Sequence, residues 1–402
     1  MNVYFHTFGC KANQYDTERV RQAFADQGAA SVDDLGAADL AVVNSCTVTH
    51  ESEAKLRRFV RHVARASRAQ TIVMGCAAAL DGGALAALPS VRAVVGGADP
   101  ATVLRAAGYP APRVGRVLRE FKGSSRGWLK IQDGCDEHCT FCATTIARGA
   151  NRSRPVPELV EEARSLAEHH AEIVLTGVHI GTYGRDGAWG VGLGQLLDAL
   201  VNAVPHVRFR LSSIEATEVD DTIARLLMEA PRHVAAHLHA PLQSGSNRVL
   251  KRMGRHWYTA ESYRTRLEWL STRLAVFGLG ADVIAGFPAE TDADHHATLT
   301  LLHALPFTYL HVFPFSTRPD APAARLSDHL PPGVVRERAR ALRELGAAKA
   351  AAYRARRVGQ RADGVVCGRQ GGRIEVVTED YLSVYVGTDE WSGDPRFEVV
   401  VN

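Results

Sequence analysis

Short apolar runs alternate with helical stretches along most of the chain, and the alternation changes character twice. In residues 1–112 the apolar runs predict strands at Asn2–Thr7, Leu40–Asn44, Thr71–Met74 and Ala93–Val95. Helical periodicity between these runs predicts helices at Thr17–Gln27 and Glu51–Ser67. Because strands that alternate with helices form parallel sheets, we expect a doubly wound α/β domain in this part of the chain.

The central part, residues 121–356, repeats the strand-and-helix unit about six times after a connection rich in proline, glycine and basic residues. The predicted strands are Gly127–Ile131, Glu172–Thr176, Val207–Leu211, His237–Ala240, Ala281–Ala285 and Tyr309–Phe313. The predicted helices between them are Glu158–His170, Leu193–Ala203, Asp220–Glu229, Ala260–Arg273 and Asp292–Leu305. This repetition predicts a partial (β/α)6 barrel, whose chemistry should lie in the loops that follow the strands.

The pattern changes again after a long helix, which we predict at Gly333–Arg356. Residues 357–402 contain short β-like runs at Arg373–Val377 and Ser383–Val386, punctuated by glycine and aspartate. This pattern is typical of a small all-β module.

Composition and charge exclude few classes of protein. Hydrophobic residues make up 46% of the chain and charged residues 23%, and the net charge is +3. A charge so near zero indicates nucleic-acid binding only if basic residues form local patches. The N-terminus lacks the pattern of a signal peptide, and no apolar run is long enough for a membrane helix. We therefore expect a cytoplasmic protein with no membrane partner, whose seven cysteines are not disulfide-bonded.

Three of the cysteines lie close together in the run DGCDEHCTFC. Cys135, Cys139 and Cys142 have the spacing C-x3-C-x2-C, just after a predicted strand. Three thiolates on one loop can surround an iron–sulfur cube and leave its fourth iron open to a small molecule. The alternative is a structural zinc loop. A structural zinc site needs four protein ligands, however. No second cysteine pair follows, and His138 sits directly beside Cys139.

Three further cysteines, Cys10, Cys46 and Cys76, each follow a predicted strand, in the runs FHTFGC, VVNSC and VMGC. Parallel strands end at the same edge of a sheet, so these thiols can converge although they are far apart in sequence. Gly9 and Gly75 permit a close approach of the backbone to a bulky ligand. The alternative is three buried core cysteines, which are common. Because all three lie at strand ends, we favour a second iron–sulfur cluster with three protein ligands.

The first motif resembles the radical S-adenosylmethionine (SAM) superfamily, whose pattern is C-x3-C-x-aromatic-C, with Phe141 in the aromatic place. With the second set of cysteines, nearly the whole chain resembles the methylthiotransferases, which combine an N-terminal cluster domain, a radical SAM barrel and a small β domain called TRAM. The runs GCKANQYDTE, VNSCTVTHESEAKLRR, LTGVHIGTYG, HLHAPLQSGSNRVLKRM and ADVIAGFPAET resemble the branch that acts on N6-threonylcarbamoyladenosine at position 37 of tRNA. The chain departs from the family in the stretch ATTIARGANRSRP, where a proline-containing sequence is more usual, and in its short C-terminal module.

The resemblance implies two 4Fe–4S clusters and SAM as cofactors. One cluster, on Cys135, Cys139 and Cys142, would generate a radical that removes hydrogen from C2 of the adenine. The other, on Cys10, Cys46 and Cys76, would deliver sulfur, and a second SAM would supply the methyl group. The resemblance also implies the tRNA anticodon loop as partner, an electron donor such as flavodoxin, and an external sulfur source. Alternative targets are isopentenyladenosine in tRNA and a ribosomal-protein aspartate; the non-catalytic alternative is an RNA-binding protein with structural metal clusters.

Residues at the ends of predicted barrel strands are candidate SAM contacts. Gly177 resembles the superfamily glycine segment that holds the amino group of SAM, and its alternative is an ordinary turn glycine. Glu215 and Gln243 end the third and fourth strands; they are interpreted either as ligands of the ribose or amino-acid part of SAM, or as capping residues. We assign no role to a few other polar positions, which we interpret as structural or buried: Asp282, His179, His311 and the thiol of Cys367.

Basic residues form three local groups. The predicted helix Glu51–Ser67 carries a stripe of Arg58, Arg61, Arg65 and Arg68 opposite its apolar face. A second group, Arg148, Arg152 and Arg154, follows the cysteine loop, and a third lies between Arg336 and Arg357. Each group alone is typical of a solvated face, but together they predict contacts with RNA phosphates. An anticodon-loop base is already single-stranded, so moving it into a pocket costs little.

Overall fold

The computed structural model describes residues 1–47, 50–81, 83–187, 190–318 and 320–402, except for the side chain of His50. Two residues of the run VNSCTVTHESEAKLRR, Val48 and Thr49, therefore lie outside the described residues. Within the described part of the chain, no helix is both long enough and apolar enough to cross a membrane.

The N-terminal region is a five-stranded sheet with helices on both faces. Its strands are β1 (Asn2–Thr7), β2 (Ala30–Val32), β3 (Leu40–Ser45), β4 (Gln70–Gly75) and β5 (Val91–Gly96). Its helices are α1 (Lys11–Asp26), α2 (His50–Ala66), α3 (Cys76–Ala79) and α4 (Pro100–Ala106). The strands run parallel in the order β2–β1–β3–β4–β5. Helices α1 and α4 share one apolar core with the sheet and α2 packs in another, so the predicted doubly wound arrangement is confirmed.

Helix α1 begins well before its predicted start at Thr17, directly after Cys10. Its first turns carry Asn13, Tyr15 and Asp16, which are buried although they are polar. This face packs against the barrel, where the hydroxyl of Tyr15 donates to Glu162 at 2.8 Å. A buried polar face has no apolar periodicity, and for this reason the sequence pattern missed the beginning of the helix.

The central region contains strands β6 (Arg126–Lys130), β7 (Gln132–Asp133), β8 (Arg152–Ser153), β9 (Glu172–Thr176), β10 (Arg208–Leu211), β11 (His237–His239), β12 (Gly278–Ala285) and β13 (Tyr309–Pro314). Its helices are α5 (Thr144–Arg148), α6 (Val156–Ala167), α7 (Leu193–Ala203), α8 (Asp221–Glu229), α9 (Asn247–Arg252), α10 (Ala260–Ser271), α11 (Asp292–Ala304) and α12 (Pro332–Arg357).

Six of these strands form the predicted partial barrel. The parallel sheets β10–β9–β6 and β11–β12–β13 meet through the parallel bridges Phe209–Val234 and Ser213–His239. Strands β7 and β8 pair separately as a short antiparallel ladder beside the cysteine loop. Helices α6, α7, α8 and α10 pack their apolar faces on one large core with the barrel strands, as the strand-and-helix repeat predicted.

The C-terminal region is a four-stranded antiparallel sheet, in the order β16–β15–β14–β17. Its strands are β14 (Arg361–Gln370), β15 (Arg373–Thr378), β16 (Ser383–Gly387) and β17 (Arg396–Val400). The predicted all-β character is confirmed. The prediction for Cys367 is wrong, because this thiol is only partly buried and lies 3.8 Å from Nη1 of Arg126.

A buried carboxylate joins the barrel to the C-terminal sheet. Glu172, at the start of β9, accepts hydrogen bonds from Arg126 at 2.7 Å, Arg208 at 2.7 Å and Arg210 at 2.9 Å. Arg210 continues to the backbone carbonyl of Thr378 at 2.8 Å. Because Arg126, Glu172 and Arg208 are the first residues of their strands, this network lies at the amino end of the barrel. The opposite, carboxyl end remains for the functional site.

Candidate active site at the barrel mouth

All six predicted cysteine ligands line one cavity of about 370 Å³ at the carboxyl end of the barrel. Cys10, Cys46 and Cys76 enter it from the N-terminal sheet, and Cys135, Cys139 and Cys142 from the loop after β7. Two sets of thiols that are remote in sequence therefore face the same space.

Asn13 organises the N-terminal set of thiols. Its amide nitrogen donates at 2.9 Å to the backbone carbonyls of Phe8 and Ser45, near the ends of β1 and β3. Its oxygen Oδ1 lies 3.8 Å from the sulfur atoms of both Cys10 and Cys76. One side chain thus ties together the ends of two strands and contacts the thiols of two of the three cysteines.

Glycines precede two of these cysteines because no side chain fits there. Gly9 has φ 110°, and a Cβ on it would lie 3.0 Å from Cβ of Cys46. Gly75 has φ 94°, and a Cβ would overlap Oδ1 of Asn44 and lie 2.8 Å from the carbonyl of Ser45. Positive φ with such close contacts is accessible to glycine alone, and it brings the strand ends together.

The second set of thiols lies on a tightly turned loop. The backbone nitrogen of Cys135 donates to the carbonyl of Gly149 at 2.9 Å, and that of Cys142 donates to the carbonyl of Cys139 at 3.1 Å. The sulfur of Cys135 lies 3.6 Å from Nδ1 of His179. The sulfur of Cys139 accepts from Arg255 at 3.4 Å. Each of these two thiols therefore has a buried polar partner.

The four predicted SAM contacts all line the same cavity: Phe141, Gly177, Glu215 and Gln243. Gly177 also packs closely, since a Cβ there would lie 2.7 Å from Oε1 of Gln132. Glu215 is already paired with Arg255 and accepts from the indole of Trp257. Gln243 has φ 63°, an unfavourable conformation for a residue with a side chain, and strain of this kind is common at binding sites.

Burial and charge set the protonation of the site. Burial raises the pKa of the Cys76 thiol to about 11 and that of Cys139 to about 12, and neighbouring guanidinium groups oppose both shifts. Burial alone would lower the pKa of His179, but hydrogen bonds with Cys135 and Glu218 outweigh it and raise that pKa to about 10. The thiols must therefore lose protons when a metal binds.

The predicted RNA-binding arginines lie in different environments. Arg58, Arg61 and Arg65 are exposed on α2, and Arg152 is exposed on β8. Two others are engaged by neighbours: the Arg154 side chain pairs with Glu162 at 2.9 Å, and the buried Arg148 contacts Cys76. A larger cavity of about 970 Å³ lies behind Cys76 and is lined partly by Arg148, Arg152 and Arg154. It lacks five of the six cysteines, so we place the chemistry in the smaller cavity.

Comparison with known proteins identifies the family. Two family models match the chain: Uncharacterized protein family UPF0004 at residues 2–96 and the Radical SAM superfamily at residues 129–302. The threonylcarbamoyladenosine tRNA methylthiotransferase MtaB of Bacillus subtilis is 38% identical over 355 residues, covering 84% of this chain and 78% of the relative. The protein of that name in Aquifex aeolicus is 33% identical over 403 residues, 96% of each chain. The chain belongs to the radical SAM methylthiotransferase family.

The matching relatives include proteins whose names give a different modified adenosine of tRNA as the target. The tRNA-2-methylthio-N(6)-dimethylallyladenosine synthase of Novosphingobium aromaticivorans is 33% identical over 351 residues, covering 83% of this chain and 79% of the relative. Among solved structures, the radical SAM methyltransferase TsrM from Kitasatospora setae matches with a TM-score of 0.61 at 16% identity, covering 80% of this chain and 76% of that one. At this identity the likeness shows the fold alone.

Membership of the radical SAM methylthiotransferases implies SAM and a 4Fe–4S cluster, and the donor set of the structure fits the cluster. Cys135, Cys139 and Cys142 supply three soft sulfur ligands from one loop, and a cubane with three protein ligands keeps one iron open. Gly177 lines the cavity with these thiols, and a side chain there would collide with Gln132.

Sequence reasoning missed four polar residues of the site: Asn13, His179, Arg255 and Asp282. For His179 and Asp282, the sequence-based view of a structural or buried residue overlooked that both line the cavity. Asp282 accepts from His239 at 2.9 Å and from His311 at 3.2 Å on neighbouring strands. The position of Asp282 near the end of β12 was the available signal, because ligands of barrel enzymes gather at strand ends.

Proposed function

We propose that this enzyme adds a methylthio group to C2 of N6-threonylcarbamoyladenosine at position 37 of tRNA. The observation that carries the proposal is the single cavity lined by two complete sets of three thiols. The names of the relatives from Bacillus subtilis and Aquifex aeolicus support threonylcarbamoyladenosine as the target.

The cofactors are two 4Fe–4S clusters and SAM. Cys135, Cys139 and Cys142 would hold the first cluster, and Cys10, Cys46 and Cys76, which line the same cavity, would hold an auxiliary cluster. When bound, these groups supply a 5′-deoxyadenosyl radical and a sulfur atom for transfer, chemistry that no side chain provides. Two sets of three thiols that face one cavity would hold both groups close to the same carbon, which a reaction needs when hydrogen removal and sulfur insertion occur there.

The protein positions SAM and excludes water. Phe141 provides an apolar wall on the cysteine loop, and Gly177 lets the strand end pack closely on Gln132 where it lines the cavity. Gln243 presents its side-chain amide from a strained backbone. Pairing with β12 holds this backbone in place, since the main-chain carbonyl of Gln243 accepts from the backbone nitrogen of Ile284 at 2.9 Å. Arg255 contacts both Glu215 and Cys139. Its guanidinium balances the charge of the Glu215 carboxylate, which borders the cavity.

Exposed arginines give the enzyme its affinity for RNA. Arg58, Arg61 and Arg65 present their charges along one face of α2, and Arg152 lies near the cysteine loop. Contacts of this kind bind phosphates of any sequence and weaken with salt. The anticodon loop offers an unpaired base that enters a pocket at small cost. An electron donor such as flavodoxin and an external sulfur source complete the reaction.

Two cysteine variants separate the proposed roles. After anaerobic reconstitution with reductant, SAM and tRNA, Cys139→Ala should lose 5′-deoxyadenosine formation, whereas Cys10→Ala should keep it and lose the methylthio product. Mass analysis of the tRNA nucleosides identifies that product. Wild-type protein that forms no 5′-deoxyadenosine would overturn the enzymatic proposal in favour of a non-catalytic RNA-binding protein.

The target is tested separately, in a strain that lacks the gene. Loss of the methylthio-threonylcarbamoyl nucleoside, with restoration by the wild-type chain but not by Cys10→Ala, is the expected result. Loss of the methylthio-isopentenyl nucleoside instead would identify the alternative tRNA target, which the relative from Novosphingobium aromaticivorans supports. An unchanged tRNA together with loss of a modified ribosomal-protein aspartate would identify the third.

A further inference from the structure

A single guanidinium connects the two sets of cysteines. Arg148 is the last residue of α5, the helix that begins just after Cys142 on the radical SAM loop. Its side chain is only 9% exposed, and its Nε donates to the sulfur of Cys76 at 3.2 Å. An arginine on the loop of one cluster therefore contacts a ligand of the other.

The remaining nitrogens of Arg148 are held by three partners. Nη1 donates to both carboxylate oxygens of Asp133, at 2.9 and 3.1 Å. Nη2 donates to Asn13 at 2.7 Å and to Asp16 at 2.9 Å, both on α1. The carboxylates offset the charge of the guanidinium in this buried place. Since each nitrogen has a partner within the protein, the orientation of the Nε–H towards sulfur is fixed.

Hydrogen bonds to cluster ligands help to set the reduction potential of an iron–sulfur centre. Reduction adds negative charge, and a cationic N–H donor to a ligand sulfur stabilises the reduced form most. Such a donor therefore raises the potential. In the N-terminal set, Arg148 donates to the sulfur of Cys76, whereas the sulfur of Cys10 lies 3.8 Å from Oδ1 of Asn13.

We propose that Arg148 is a positioning residue for the auxiliary cluster, which fixes Cys76 against the radical SAM loop and raises the potential of that cluster. This inference rests on the proposed function, because it requires a cluster on Cys10, Cys46 and Cys76. It replaces the sequence-based prediction that Arg148 binds RNA. A guanidinium that is buried and fully engaged has no N–H left for a phosphate.

The other cluster site has a comparable contact with a different connection. Arg255 donates to the sulfur of Cys139 at 3.4 Å and pairs with Glu215. Both of these partners belong to the barrel region. Arg148, by contrast, spans the junction between the barrel and the N-terminal sheet through Asn13 and Asp16. Arg148 therefore links the radical SAM loop both to the N-terminal sheet and to the thiol of Cys76.

The experiment isolates the auxiliary cluster in the full-length chain. In a parent variant with Cys135, Cys139 and Cys142 replaced by alanine, iron is quantified, and the midpoint potential and EPR spectrum are measured without RNA. We expect Arg148→Gln to lower the midpoint potential and change the spectrum, and Arg148→Lys to shift both less. The control is Arg264→Gln, since the exposed Arg264 pairs with Glu268 on α10, and the potential of this variant should match that of the parent.

A second measurement uses the chain with all its cysteines. Arg148→Gln should keep 5′-deoxyadenosine formation while the methylthiolated nucleoside formed per 5′-deoxyadenosine falls at least tenfold. If Arg148→Gln fails to retain iron while Arg148→Lys retains it, the positioning role is supported. An Arg148→Gln protein with the parent's iron content, potential and spectrum would overturn the inference. A parent that binds no cluster would instead overturn the proposed function, whatever the Arg148 variants do.

Discussion

Adding one methyl group at Gly75 tests whether the strand end before Cys76 builds the auxiliary site. Gly75 has φ 94° and ψ −159°, a region that glycine alone occupies readily, so alanine costs about 1–3 kcal/mol in backbone strain. The new Cβ would also displace the amide of Asn44, whose Nδ2 donates to the carbonyl of Asn13 at 2.8 Å. Losing that bond adds about 1 kcal/mol. We expect Gly75→Ala to lower the free energy of unfolding by about 2–4 kcal/mol.

Anaerobic urea unfolding measures the loss of stability, and iron analysis reports the site. Two cubanes would give roughly eight irons per chain. Because the radical SAM loop is untouched, Gly75→Ala should keep the roughly four irons of that site and lose those of the auxiliary site. The control is Gly28→Ala, where φ is 81° but nothing lies within 4 Å of the added Cβ. It should lose about 1 kcal/mol and no iron. Equal losses of stability in the two variants, with full iron in both, would refute the steric reasoning.

Two further predictions concern stability and RNA binding. Glu172→Gln should cost about 3–5 kcal/mol, because it leaves three buried guanidinium groups without their shared charge. Burial alone would raise the pKa of Glu172, but the three arginines hold it well below 4.5. The difference in free energy of unfolding between the wild type and Glu172→Gln, measured with urea, should therefore be largest above about pH 4.5. It should shrink only as the pH falls towards the folded-state pKa of Glu172, and a difference that vanishes by about pH 6 would contradict this. Replacing Arg58, Arg61 and Arg65 by glutamate should weaken tRNA binding and reduce the steepness of log K for tRNA binding against log salt by about 2 or more. The free energy of unfolding should change by no more than about 0.5 kcal/mol. An unchanged slope would exclude α2 from the RNA surface.

The sequence predicts best those features that depend on local pattern. The apolar run at Glu172–Thr176 and the helix Leu193–Ala203 have the predicted bounds, because their periodicity reflects burial against the neighbouring strand or helix. The six cysteines were found by their spacing and by their places after strands. Asn13 and Arg148 were out of reach, because their partners are remote in sequence: Arg148 lies 72 residues from Cys76 and 135 residues from Asn13. No local pattern distinguishes a buried arginine that contacts sulfur from a solvated one.

The packing of the three regions places the cavity between the barrel and the N-terminal sheet. The amino end of the barrel is closed by the Glu172 network and the C-terminal sheet. Its carboxyl end faces the N-terminal sheet, whose strand ends supply Cys10, Cys46 and Cys76. Strands β6 and β13 are the two outer strands of the barrel and, in the described residues, do not pair with each other. Phe313 on β13, one of these two strands, is 37% exposed. An exposed aromatic ring beside the site is a surface on which an unstacked base can lie.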